Sequence, residues 1–399
     1  MDTRDLIADN GKRMRLLVPV SAIDMRIKFG IVPAWWQLLK ALSEKGCDLT
    51  VIPFYGKAFE TLWWKSSNNC LVSDLYLRSM HGLGHSFEST GSIAEKIIAD
   101  ASQTTKVLLK PLLNLIWTRN ILRLLEKDGK YSGVLFLGAG LRFTNGLPTL
   151  IRKRFRIPVV YFENDLPSTL FWKDSPYLDR DLLDDYDAII VTSKGSKDIL
   201  IERGLRNIHV IYFGVDPSVF QPISVKKDID IGFFGLGRGR ENDIRYMLVE
   251  PSNAMQDKTF AVGGGKHGVN LGTNIQSVGF TSFLMFRLLS CRSKINLNIV
   301  RHPFDEIFGS SISRPFELGA MGCCVVSNPW NGIEEWFDVG KEILIVRDFR
   351  EAVDIYNMLL SDEDLRIRLG NRLRKRILKE HTYAKRAEQI ICLLKELNP

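Results

Sequence analysis

The chain has 399 residues, 45% of them hydrophobic and 25% charged, a balance that fits two soluble globular domains and excludes a disordered or low-complexity protein. Its net charge of +8 is spread, with 29 basic and 24 acidic groups in residues 1–223 and 25 and 22 in residues 224–399, so it lacks a clustered nucleic-acid footprint and nucleic acid is not an expected partner. Six cysteines with neither a CxxC pair nor a His/Cys zinc spacing exclude a disulfide scaffold and point to a reducing compartment.

The apolar run from Leu16 is cut by Asp24 and Arg26, short of a signal peptide, and no run reaches the ~18 apolar residues of a membrane span. A cytoplasmic protein is expected, with a peripheral contact at the inner membrane surface left open. RLLVPV (15–20) predicts a strand, PAWWQLLKALSEKG (33–46) a helix with a glycine stop, and DLTVIPF (48–54) the next strand. After a polar stretch to about residue 95, residues 106–129 predict a long helix containing Pro111. Its Lys106, Lys110, Arg119 and Arg123 alternate with leucines and Trp117, as in an interfacial helix or in one half-buried on its sheet.

GVLFLG, IPVVYF, AIIVTS and IHVIYF follow as four apolar runs separated by helical patterns, the signature of a parallel sheet covered on both faces. GVDPSVFQPISVKKD (214–228) then carries two prolines and a charged patch, and a second series begins: DIGFFG, FAVGG, INLNIV, CCVVSN and ILIVRD. The expected fold is α/β, with two doubly wound domains over residues 1–223 and 224–399. The second is closed by two C-terminal helices over residues 363–397.

Glycine clusters follow several of these strands: GAG (138–140), GLGRG (235–239) and GGGKHG (263–268). Glycine beyond the carboxyl end of a parallel strand lets backbone N–H groups approach a phosphate, and it also suits any tight turn. Arg238 and Arg240 put two guanidinium groups beside the second cluster, a chemistry matched to phosphate. The third glycine is at 239, where a dinucleotide fingerprint needs 240, and no Walker-type loop occurs. DYD (185–187) and DID (228–230) have DxD spacing but precede their strands, at the wrong end of a parallel sheet for ligands, so no metal site is expected.

YFENDLP carries Glu163 and Asp165 out of a strand's carboxyl end, where a carboxylate could act as a general base or simply form an Asx-turn. His81 and His85 lie in the loop-rich stretch of the first half and are the next candidates. In SRPFELG (313–319) the spacing predicts a helix from Pro315, with Arg314 as its cap and Glu317 in its first turn. Capping accounts for this pair incompletely, because arginine is a poor cap and Ser313 to Glu317 is one residue too long for a capping box.

IHVIYFGVDPSVFQP, with the charged linker and glycine-rich strand after it, resembles the interdomain hinge of GT-B glycosyltransferases. RPFELGAMGCCVVSNPWNGIEEWF, EILIVRD and EHTYAKRAEQI resemble the donor-binding half of the CgeB-like, spore-maturation-type branch, over roughly residues 229 to 392. The resemblance implies two Rossmann-like domains facing across a cleft, acceptor in the first and nucleoside-diphosphate sugar in the second, and metal-independent sugar transfer. It places Glu317 on the ribose and Arg314 and Arg240 on the diphosphate; the residues themselves add Gly235, Gly237 and Arg238 of the glycine loop and Ser313 at the helix start to the expected donor group. Asp165 is the expected base, with Glu163 and then His81 behind it. The donor is a substrate, so no cofactor is implied; the acceptor, whether glycan, lipid-linked, small molecule or protein, stays open. Related retaining enzymes carry a further glutamate eight positions before Glu317, where this chain has Gly309, which leaves the stereochemical course open. The alternatives are a nucleotide-sugar epimerase on the same scaffold and a non-catalytic nucleotide- or nucleic-acid-binding protein.

Overall fold

A computed structural model describes residues 13–23, 33–67, 72–73, 75–76, 93–129, 131–138, 144, 146–163, 183–265, 267–279, 281–302 and 304–398. They form two wholly parallel sheets. The first contains β1 (Arg15–Val20), β2 (Asp48–Pro53), β3 (Trp64–Ser66), β4 (Gly133–Leu137), β5 (Val159–Phe162), β6 (Ala188–Val191) and β7 (Ile208–Val210), in the order β3-β2-β1-β4-β5-β6-β7. The second contains β8 (Ile229–Phe234), β9 (Phe260–Gly263), β10 (Ile275–Ser277), β11 (Ser293–Asn298), β12 (Val325–Ser327) and β13 (Leu344–Ile345), ordered β10-β9-β8-β11-β12-β13.

Period-two alternation divides each central strand between two cores. In β4, Val134 and Phe136 pack into one core with α2 (Ile93–Asp128) and α3 (Leu147–Phe155), while Leu135 and Leu137 face α1 (Ala34–Glu44) on the other side. That is why the strand reads as an unbroken apolar run rather than an alternating one. α2 begins earlier than the helix predicted from residue 106, and its Trp117 is wholly buried, donating from Nε1 to the Ile52 carbonyl at 3.3 Å. The interfacial role read for Trp117 therefore does not hold, since the ring belongs to the core.

α4 (Lys194–Glu202) follows β6. In the second domain, α5 (Glu241–Ile244), a π-helical turn over Arg245–Val249 and α6 (Glu250–Ala254) follow β8. α7 (Phe283–Arg292) precedes β11, and α8 (Ser313–Ala320) leads to β12. α9 (Phe349–Ser361), α10 (Glu363–Glu380) and α11 (Tyr383–Glu396) complete the described chain.

The packing corrects the expected division at one place. α10 stays on the second domain, where Leu373 and Ile377 join the core of α8, but α11 does not close that domain. Its Tyr383, Ala387, Ile390, Leu393 and Leu394 pack into the core of the first sheet beside Leu38, Leu39 and Leu42 of α1. The chain thus crosses between domains twice, at Phe213–Val215 and at His381–Tyr383. The two crossings are tied by the bridge between Val215 and Thr382 and by Val215 N–H donating to the His381 carbonyl at 3.0 Å. Gly214 cannot carry a side chain there, because a Cβ would stand 2.8 Å from the Tyr383 nitrogen.

Candidate functional site

The order of the second sheet reverses between β8 and β11, the switch point at which a parallel sheet leaves a crevice beyond its carboxyl ends. A cavity of about 270 Å³ lies there, with Gly235, Thr281, Phe286, Arg240, Arg301 and Arg314 in its wall. That size is close to the lower end of small-molecule pockets, about 300 Å³.

Two glycine loops build its floor by interlocking. Gly237 is buried against the other loop, where a Cβ would stand 2.2 Å from the His267 Cα; at Gly264, with φ +112°, a Cβ would meet the Gly235 carbonyl oxygen at 2.6 Å. Only glycine permits this approach of backbone to backbone. His267 Nε2 lies 3.2 Å from the Gly235 carbonyl, and the Arg240 N–H donates to the Gly237 carbonyl at 2.9 Å.

That turn delivers Arg240 to the cavity. Its Nε donates to the Ile299 carbonyl at 2.6 Å and its Nη1 to the Leu236 carbonyl at 3.0 Å. Burial, then the neighbouring charges of Arg301 and Arg314, bring its pKa down to about 10, which leaves it charged at neutral pH. Three guanidinium groups in one half-enclosed space repel one another, and an anion among them would relieve that repulsion.

Arg314 holds its place by packing. Its guanidinium lies 4.0 Å from the centre of the Phe286 ring, and Nη1 comes 3.2 Å from Glu317 Oε2. This ion pair lacks hydrogen-bond alignment, so the buried Nη1 has no hydrogen-bond acceptor among the described residues. Burial lowers the Arg314 pKa and raises that of Glu317, each charge working against the effect on its partner.

The start of α8 differs from the sequence expectation. Ile312 is the N-cap, extended at φ −125° and ψ 128°, Ser313 is the first helical residue, and Glu317 falls in the second turn. Proline is tolerated anywhere in the first turn, because none of those N–H groups has an intrahelical acceptor. Pro315 therefore marks the turn and not its first residue. Ile312 and Arg314 line the cavity whereas Ser313 does not; Glu317, 3% exposed, touches the site through Arg314 instead of lining it. Of the glycine-loop residues, Gly235 and Arg240 reach the cavity, Gly237 supports the floor, and Arg238 is exposed and outside the lining.

Arg301 and Phe286 were missed in the sequence. Arg301 follows β11, its side chain against Gly239 and 4.8 Å over the Phe304 ring. A basic residue directly after a predicted strand, INLNIVR, was the available signal.

In the first domain, Glu163 leaves the carboxyl end of β5, is buried, and accepts a hydrogen bond from the Tyr161 hydroxyl at 2.9 Å. Asp165, His81 and His85 lie outside the described residues. Both DxD pairs sit at amino ends of strands and serve the fold. Asp228 pairs with Arg292, and Asp230 with Lys294 and the Thr259 N–H. Asp185 accepts from Thr149, and Asp187 pairs with Arg152. Loop contacts also cross between the domains, with Ser311 N–H donating to the Thr192 carbonyl at 3.0 Å and Gly195 N–H to the Phe308 carbonyl at 2.9 Å.

The sequence matches the family described as Glycosyltransferase Family 4 over residues 30–219 and that described as Glycosyl transferase-like over residues 240–392. No curated protein matches it. Solved structures share its fold at low identity. Sucrose-phosphate synthase from Thermosynechococcus elongatus is 13% identical with a TM-score of 0.63, over 96% of this chain and 99% of that one. HepE from Anabaena, in complex with UDP and glucose, is 14% identical with a TM-score of 0.62, over 96% and 100%. A glycosyltransferase from Rickettsia africae is 14% identical with a TM-score of 0.60, over 96% and 98%.

Proposed function

This chain is a glycosyltransferase of the GT-B fold, and we propose that it transfers a sugar from a nucleoside-diphosphate sugar bound at the β8/β11 switch point to an acceptor entering from the first domain. The observation that carries this reading is the convergence of Arg240, Arg301 and Arg314 on one cavity, with a buried Arg314 N–H that has no acceptor among the described residues. A diphosphate offers several anionic oxygens in a bidentate geometry that guanidinium groups match.

As the glycosidic bond breaks, negative charge builds on the β-phosphate. Donors already fixed by packing stabilise that charge without reorganisation. The amino end of α8, at roughly half a unit positive charge, adds to the arginines, so the diphosphate is neutralised without a divalent cation. Glu317 acts in this scheme as a positioning residue for Arg314. Its ribose contact, implied by resemblance, would require a carboxylate that is 3% exposed and outside the cavity wall to be opened to the ligand.

The acceptor crevice is assigned to the switch point of the first sheet, between β1 and β4, where the Ser21 hydroxyl donates to the Gly138 carbonyl. Asp165 or Glu163 takes the acceptor's proton. The Tyr161 hydroxyl, 2.9 Å from Oε2, fixes the Glu163 carboxyl at the end of β5. Family membership favours transfer over epimerisation.

The test is a thermal-shift panel of UDP, GDP, dTDP and CDP in excess EDTA. UDP is the first choice, because HepE is described in complex with UDP-glucose. A matched nucleotide at 100 times its dissociation constant adds about 2.7 kcal/mol of stability. No shift with any of the four would remove the donor assignment, and a shift that needs added Mn²⁺ or Mg²⁺ would remove the metal-free reading.

A further inference from the structure

α2 carries two apolar stripes. Leu113, Trp117, Ile121 and Leu125, spaced four apart and at most 2% exposed, face the core of the first sheet. On the outer side Val107, Leu108, Leu112 and Leu115 are 60%, 71%, 47% and 66% exposed, at the i, i+4, i+7 spacing that puts Leu108, Leu112 and Leu115 on one helical face. A helix that needs only to cover its sheet would carry polar residues on that outer side.

The same outer line continues into Arg119 and Arg123, both exposed. α3 lies beside this end of α2, joined to it by an ion pair between Arg154 and Glu126 at 2.6 Å. It adds exposed Leu150, and Lys153, with Arg156 beyond it, presents further positive charge. An apolar stripe of leucines followed by arginines is the arrangement of a helix lying at a bilayer interface, with leucines at acyl depth and cations among headgroups. No helix among the described residues is long and apolar enough to cross a membrane.

We propose that the outer face of α2, together with the basic end of α3, docks on an anionic lipid bilayer. Charge complementarity selects this occupant: exposed Arg119 and Arg123 of α2, with Lys153 and Arg156 near the end of α3, stand next to the exposed leucines, as acidic headgroups beside an apolar interior require. The proposal is independent of which nucleotide the donor site takes.

The experiment is co-sedimentation of the full chain with vesicles of phosphatidylcholine plus phosphatidylglycerol, and of phosphatidylcholine alone, with sedimentation equilibrium in parallel. Binding is expected to the mixed vesicles, weaker binding to neutral ones, and a decline as salt rises. Leu108→Gln/Leu115→Gln should weaken binding at least tenfold with an unchanged Tm, because both side chains are exposed. Arg119→Gln/Arg123→Gln should weaken it on the order of fivefold per arginine removed. The leucine variant separates docking from general attraction of a +8 chain, since its charge is the same. Absence of binding to the mixed vesicles, or equal binding by the leucine variant, overturns the proposal. So does a dimer that the leucine variant dissolves.

Discussion

Arg314 and Glu317 form a buried ion pair, Nη1 to Oε2 at 3.2 Å, on the second domain's helix α8, and only the arginine reaches the cavity. Removing the arginine strands a buried carboxylate, at a cost of roughly 3 kcal/mol. Arg314→Met is therefore expected to lower stability in urea unfolding, and Glu317→Gln added to it should restore most of the loss. Donor affinity should stay lost in the double variant, which separates the two roles. Additive destabilisation by the two changes would show that the pair is not coupled.

Burial raises the Glu317 pKa, so the folded state holds this proton more tightly than the unfolded one. The stability it contributes is complete below the unfolded carboxylate pKa and is lost as pH rises through the higher folded value. Glu317→Gln removes that loss. Its unfolding free energy should fall less than that of the parent as pH rises from the ordinary carboxylate range toward neutrality.

His381 titrates in the opposite sense. Stacked 4.8 Å from the Phe316 ring, with Nδ1 3.0 Å from Arg386 Nη2, it serves as a hydrogen-bond acceptor and must be neutral. Burial first, and Arg386 second, push its pKa down to about 4. Stability from the neutral ring is present above the usual imidazole range and is lost as pH falls toward 4, by about 3 kcal/mol at ~1.36 kcal/mol per unit. A chemical-denaturation series from pH 7 to about 4 should show this slope in the parent and a flatter one in His381→Leu, whatever the variant's absolute stability.

Gly237→Ala places a methyl group where the His267 backbone stands, at 2.2 Å. The two glycine loops must then separate, and Arg240, held by the Gly237 turn, moves with them. Nucleotide affinity should drop at least tenfold, as measured by calorimetry. Unchanged affinity would mean that the interlock does not set the arginine's position.

Glu163→Gln should lower the chemical step about 10²-fold or more while donor affinity is kept, if this carboxylate takes the acceptor's proton. Full activity there together with loss in Asp165→Asn would move the base two residues along the chain.

The sequence revealed most of the fold because central parallel strands are apolar on both faces: GVLFL and VVYF are wholly buried runs. The short edge strands β3 and β10 were missed, since WKS and IQS place exposed residues where only one neighbour pairs. The destination of α11 was not legible either. Its apolar face suits any sheet, and the choice of the first domain is made by the Val215–Thr382 crossing, a contact between residues 167 positions apart. Arg240 and Arg314 were readable from strand ends and a helix start. Glu317 lies buried behind Arg314 and outside the cavity wall, a placement that local spacing does not reveal.

We propose that a cluster of arginines, and not a metal, holds the donor's diphosphate. Calorimetry in excess EDTA with UDP, or with whichever of the four nucleotides stabilises the chain most, and with the matching nucleoside monophosphate, tests it directly. The diphosphate should bind more tightly than the monophosphate by tenfold or more. Arg240→Gln, Arg301→Gln and Arg314→Gln should each erase much of that difference, since a hydrogen bond to a charged group contributes roughly 1.5–3 kcal/mol. Equal affinity for the two nucleotides in the parent, or a preference that the three variants retain, would contradict the account.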